Sequence, residues 1–197
     1  MKQLVLATNN EHKIREIRSL LKALPLELLT LRDIPNFPPL VEDGETFQDN
    51  ALRKAVTVFQ HANLPALADD SGLEVFYLNM EPGVYSARYS GPNATDAQNN
   101  EKLLQAMRGV APRRRRAQFR SVIAFVDKGV KELTEGIFSG TLAEAPRGSN
   151  GFGYDPLFIP DGMTITSAEL TDEEKNAISH RGQSLRKMIE VLRKRFG

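Results

Sequence analysis

Leu4-Val5-Leu6-Ala7-Thr8-Asn9-Asn10-Glu11-His12-Lys13-Ile14-Arg15-Glu16-Ile17 is the stretch on which the fold turns. Leu4 to Leu6 form a short apolar run suited to a buried strand, and after Asn10 the period of the pattern changes. Ile14, Ile17, Leu20, Leu21 and Leu24 recur at steps of three and four, which gives one apolar helix face, and Pro25 ends it. Leu26 to Leu31 read as a second strand. Strand, helix, strand is the opening of an α/β fold.

Further along, residues 32–45 carry Pro35, Pro38, Pro39 and Gly44 and read as a loop. Thr46 is placed to cap a helix reaching about Ala62, with Phe47, Ala51, Ala55, Val58 and Phe59 towards the core. Pro65 precedes a short buried run, Ala66-Leu67-Ala68, which the pattern ends in an acidic turn, Asp69-Asp70-Ser71-Gly72. Glu74 to Leu78 alternate as a further strand, closed by a turn over 79–83. A helix from about Thr95 to Met107 follows, then strands over 117–126 and 130–138 joined at Asp127-Lys128-Gly129. A glycine-rich loop covers 148–153, and the last helix places Leu185, Met188, Ile189 and Leu192 on one face. No repeat or linker interrupts the order, so residues 1–197 read as one domain.

Composition sets outer limits. The chain has no cysteine, so no disulfide forms, which suits a reducing compartment. No stretch approaches the ~20 apolar residues that span a bilayer, and the apolar run at the N-terminus is too short for a signal-peptide core. The expectation is a cytoplasmic protein without a membrane partner. Lysine and arginine number 26 against 25 acids, a net charge of +1 that gives no general electrostatic claim on nucleic acid. The dense basic run Arg113-Arg114-Arg115-Arg116 reads as a solvated loop leading into a strand, with a nucleic-acid-binding patch as its rival.

Four motifs bear on chemistry. Thr8-Asn9-Asn10-Glu11-His12-Lys13 joins a strand to a helix N-terminus, where free N–H groups and the helix dipole favour phosphate. Lys13 sits one turn in; the plain alternative is a capping Asn10 and a surface lysine. At Asp69-Asp70 an apolar strand delivers two adjacent carboxylates, whose side chains point opposite ways in extended backbone. Oxygen ligands suit Mg²⁺, and a solvated turn is the competing reading. In Gly151-Phe152-Gly153-Tyr154-Asp155 the glycines permit close approach, an aromatic ring can stack on a base, and Asp155 can accept from a ring N–H. Lys175, His180 and Arg181 form a donor-rich set near the C-terminus, behind a capping box at Thr171 and Glu174. Zinc spacing, a nucleophile elbow and a GxxxxGK[ST] loop are all missing from the sequence.

In order along the chain stand Thr8-Asn9-Asn10 with Lys13, Gly44-Glu45-Thr46-Phe47 with Asn50-Ala51, Ala68-Asp69-Asp70-Ser71-Gly72, Pro82-Gly83-Val84-Tyr85-Ser86-Ala87-Arg88, Gly151-Phe152-Gly153-Tyr154-Asp155-Pro156 and Ser179-His180-Arg181-Gly182. Together they resemble the inosine/xanthosine triphosphate pyrophosphatase family over essentially the whole chain. The resemblance implies an elongated two-lobed α/β fold on a long central mixed sheet with flanking helices, and an active-site cleft between the lobes. It also implies a cytosolic homodimer that uses Mg²⁺ to hydrolyse ITP, dITP or XTP to the monophosphate and pyrophosphate. Carried onto this sequence, Thr8, Asn9, Asn10, Glu11, His12 and Lys13 bind the triphosphate, together with Lys54. Asp70 is the general base and a metal ligand, and Ser71 touches substrate. Phe152, Gly153, Tyr154, Asp155, Lys175, His180 and Arg181 hold the nucleotide. One departure stands out: family members often carry two adjacent acids before the second motif's glycine, and this chain reads Val41-Glu42-Asp43-Gly44, which leaves Glu42 as the second metal ligand. A pyrophosphatase for modified pyrimidine triphosphates is the rival enzyme.

Overall fold

The predicted opening forms: β1 (Lys2–Leu6), α1 (Glu11–Leu21) and β2 (Leu26–Thr30), with β1 and β2 parallel and Leu4 opposite Leu28. A computed structural model describes residues 2–197. The helix α1 buries Ile14, Ile17 and Leu21 and ends there, three residues short of Leu24. The reason is local, since a residue before proline is pushed out of helical backbone and the chain must turn earlier. The next helix, α2 (Phe47–Ala62), starts on Thr46, whose side chain accepts from the Asp49 N–H, and closes on Asn63 in left-handed backbone at φ 53°. Its inner face holds Phe47, Ala51, Ala55 and Val58, and among them two polar side chains, Asn50 and Lys54.

The acidic turn is corrected. β3 (Ala66–Val75) is a ten-residue strand that runs straight through Asp69-Asp70-Ser71-Gly72, and only residues 76–78 beyond it form a 3₁₀ turn. Turn propensity assumes solvated side chains; here both carboxylates are buried, and packing decides the conformation over local preference. β3 lies parallel to β1, with Val5 opposite Ala66.

Then come α3 (Asp96–Ala106), β4 (Arg116–Asp127), β5 (Val130–Leu142), β6 (Phe158–Pro160), α4 (Asp172–Ile178) and α5 (His180–Phe196). The sheet order is β2-β1-β3-β4-β5-β6, and β5 with β6 is antiparallel, so the sheet is mixed and the fold α/β. Contacts divide the chain into two compact units. The first comprises Met1–Asp70, Ser121–Gly136 and Arg181–Gly197, the second Ser71–Arg120 and Ile137–His180. The first is built on Leu4, Leu6, Ile17, Leu67, Phe125 and Leu185. The second is built on Leu73, Leu103, Met107, Phe138, Tyr154 and Phe158. Among the described residues no helix is long and apolar enough to cross a membrane.

Candidate active site

In the first unit a single carboxylate organises four elements. Asn10 caps α1, its side chain accepting from the N–H groups of His12 (3.0 Å) and Lys13 (3.1 Å), while Thr8 Oγ1 accepts from the Asn10 N–H at 3.2 Å. One turn in, Lys13 Nζ lies 2.8 Å from Asp69 Oδ2. The same oxygen accepts from Arg181 Nη2 of α5 at 3.1 Å, and Oδ1 accepts from Ser121 Oγ of β4 at 2.7 Å. Arg181 also donates through Nη1 to Glu16 of α1, and Ser121 Oγ lies 3.0 Å from Ser184 Oγ. Asp69 has no exposed surface and Arg181 almost none. Burial works against the Asp69 charge, but Arg181 and Lys13, with the Ser121 hydroxyl, outweigh it and hold the carboxyl well below its usual range.

Asp70 points to the other face, as strand alternation requires. Its Oδ1 accepts from Lys54 Nζ at 2.9 Å, and that ammonium also donates to Glu42 Oε1 (2.7 Å) and to the Asp69 carbonyl (2.8 Å). Three acceptors saturate an ammonium. Burial pushes the Asp70 carboxyl up, against the opposing pull of Lys54 and Lys13. Burial lowers Lys54 in turn, but Asp70 and Glu42 outweigh it and leave the lysine raised and cationic. The loop bearing Glu42 is pinned from α2: Gly44 N–H donates to Asn50 Oδ1 at 2.8 Å, and a Cβ on Gly44 would lie 2.6 Å from that oxygen. Val41 is exposed, and Asp43 pairs with Arg53.

The second unit holds a different cluster. Gly151 at φ 72° turns the chain so that Asp155 Oδ2 accepts from the Phe152 N–H at 2.9 Å. A Cβ on Gly151 would lie 2.1 Å from that same oxygen. Lys175 Nζ of α4 donates to Asp155 Oδ2 at 2.5 Å and lies 4.7 Å from the Phe152 ring centroid. His180 lies flat on Phe119, the ring centroids 4.9 Å apart. Tyr154 is buried with its hydroxyl on the Ser86 carbonyl, and burial raises its pKa, which keeps it a neutral donor.

Residues 4–191 match the Ham1 family. The chain belongs to that family. The dITP/XTP pyrophosphatase of Geobacter sulfurreducens is 52% identical over 186 residues and 94% of each chain. That of Clostridium perfringens is 45% identical over 98% of each. Among solved structures, a HAM1 protein from Coxiella burnetii superposes with a TM-score of 0.90 at 42% identity, covering 98% of this chain and 100% of that one. The Staphylococcus aureus Ham1 protein gives 0.88 at 37% identity, with 98% of this chain covered and 100% of that one.

In this Ham1 chain, then, Thr8, Asn10 and Lys13 share the β1–α1 junction, with exposed Asn9 beside them. Glu11 pairs with Arg32, and His12 Nδ1 bonds Arg15. Lys54, Asp70 and Glu42 meet at one ammonium; Phe152, Asp155 and Lys175 meet at one carboxylate. Ser71 follows Asp70 in β3, half-buried. Arg181, expected against nucleotide, has its guanidinium on Asp69 and Glu16. The arginine run divides: Arg113 and Arg114 are exposed, Arg116 pairs with Asp161, and buried Arg115 donates to the carbonyls of Met107, Leu142 and Ala143. The sequence reading missed Glu16, Ser121 and Ser184, and gave Asp69 no role beyond its turn. For Asp69 a signal existed, because the residue beside a strand carboxylate must face the other way; Ser121 and Ser184 carry none.

Proposed function

We propose that this chain hydrolyses non-canonical purine nucleoside triphosphates (ITP, dITP and XTP) to the monophosphate and pyrophosphate, which cleanses the nucleotide pool. The observation that carries the reading is the buried Lys54 ammonium held between buried Asp70 and exposed Glu42, a carboxylate–lysine–carboxylate set suited to phosphoryl chemistry. The dITP/XTP pyrophosphatases named above support it through the sequence identity they share with this chain.

Mg²⁺ fits this set. Among the described residues no three His, Cys, Asp or Glu gather as a metal cage, and Mg²⁺ that also binds phosphate takes only one or two carboxylates from protein. Asp70 and Glu42 would hold it, and its chemistry is Lewis-acid polarisation of phosphate oxygens. Asp70, its basicity raised by burial, orients and deprotonates the attacking water. Lys13 and Lys54 offset the charge that develops on the triphosphate. Lys175 and His180 provide donors for a 6-oxo purine, a group that adenine replaces with a donor of its own, while Phe152 offers a stacking face. The enzyme acts in the cytoplasm as a homodimer, a state that light scattering would test.

A panel of purine and pyrimidine triphosphates, with and without Mg²⁺ and with product analysis, tests the reading. Release of pyrophosphate from ITP and XTP, lost on chelation, is expected. Preference for modified pyrimidines, or stepwise release of phosphate, would overturn it.

A further inference from the structure

We propose that Asp96 and Asn100, on α3, are positioning residues that set base selectivity by clamping Gly153. Asp96 Oδ2 accepts from the Gly153 N–H at 2.7 Å, and Asn100 Nδ2 donates to the Gly153 carbonyl at 2.8 Å. The two lie four apart on α3 and so share a face. One helix therefore captures both polar groups of one peptide residue. Gly153 stands between Phe152 and Asp155, the residues that Lys175 joins, so its position fixes the ring and the carboxylate together.

The loop's two halves are anchored differently. The N–H groups of Ser149 and Asn150 donate to the Ala168 carbonyl, and Asn150 Nδ2 donates to Leu170. At Gly153 the anchors are Asp96 and Asn100. A second route leads back to the same helix. Tyr154 donates to the Ser86 carbonyl, within the 3₁₀ turn Gly83–Arg88, and Asn99 of α3 donates to the Ala87 carbonyl in that turn and accepts from the Ser90 N–H just beyond it. The Pro82–Arg88 motif, which the reaction itself leaves without a role, thereby becomes part of the loop's support. Asp96 is exposed and Asn100 half-buried, at positions where alanine keeps the helix.

The inference rests on assigning Phe152, Asp155 and Lys175 to the base. Its test is selectivity, read as the ratio of kcat/KM between the best and the worst triphosphate of the panel. Asp96→Ala and Asn100→Ala should each lower that ratio about tenfold, mainly through KM for the preferred base, since a lost hydrogen bond to a positioned group is of that order. Asp96→Asn keeps an acceptor for the Gly153 N–H and should restore the ratio, whereas Asn100→Asp sets oxygen against oxygen and should not. A role limited to helix charge predicts the opposite for Asp96→Asn, which removes the charge as alanine does. Amide exchange over residues 151–155 should rise in both alanine variants and return to normal in Asp96→Asn, a readout independent of turnover. Unchanged selectivity and exchange in folded alanine variants would overturn the clamp. Should the wild type prefer another base, the proposed substrates fall, and the clamp is still judged on the same ratio and exchange.

Discussion

The two polar clusters solve opposite problems. In the first unit charge is dense and shared: two cations, Lys13 and Arg181, converge on fully buried Asp69, and two carboxylates, Asp70 and Glu42, converge on Lys54. In the second unit Asp155 pairs with Lys175, Phe152 lies beside the ammonium, and Phe119 stacks on His180. A shared counter-ion makes a cluster stiff and fragile, because removing one group strands several partners. An ion pair beside an aromatic ring suits a flat, weakly charged base. The first arrangement fits polyanion chemistry; the second fits recognition.

The sharpest break should come at Asp70. Asp70→Asn removes the proposed base and ligand while the amide can still accept from Lys54, so the fold should persist and turnover fall by about 10²–10⁴. Steady-state rates with a matched thermal melt measure both, and near-normal turnover would end the assignment.

Asp69→Asn should instead strike stability. Lys13 would face a neutral amide and Arg181 would keep only Glu16 as its carboxylate among the pairs described, and breaking a buried pair costs about 3–5 kcal/mol. The sign with pH follows from the depressed carboxyl. The unfolded chain takes up the Asp69 proton near the ordinary value of about 4, while the folded chain resists it. The stabilisation is thus complete above that value and lost as pH falls through the lower folded one. Melting temperatures of the wild type and Asp69→Asn, compared without metal, should lie furthest apart near neutrality and converge in acid. A gap that stays constant with pH would show that Asp69 acts through shape alone.

How far these clusters were legible depends on how local their causes are. The β1–α1–β2 opening follows from a 3.6-residue period and an Asn10 cap, both written within one stretch. β3 was misread because Asp-Asp-Ser-Gly is turn-like by itself, and the partners that bury it come from α1, α2 and α5, up to 112 residues away. Three-residue β6 is too short to show a period. Glu42 and Lys54 were named from the family resemblance, not from their spacing, and Asp96 and Asn100 look like any helix surface until Gly153 is seen against them.

Gly151→Ala should have a middling effect, confined to the second unit. Its φ of 72° disfavours a side chain, and the added Cβ would meet the Asp155 carboxylate. Backbone strain of this kind costs about 1–3 kcal/mol, less than stranding the charges around Asp69. The carboxylate must move to make room, so KM for the purine substrate should rise further than kcat falls. Equal losses in both would mean that the strain reaches the reacting groups and that the two clusters are not separable.

Arg116→Ala should do least, and it tests whether burial rather than pairing makes the first unit fragile. Arg116 and Asp161 form a two-pronged ion pair, the second contact at 3.0 Å, better formed than several of the buried pairs. Both side chains are about half exposed, so water solvates the partner that remains. Exposed pairs of this kind contribute about 0.2–1 kcal/mol and weaken with salt. The melting temperature should therefore fall slightly at low ionic strength and match the wild type at high salt, with turnover unchanged. A loss as large as that of Asp69→Asn would mean that pairing geometry, not the absence of water, sets the cost, and the contrast between the clusters would need another cause.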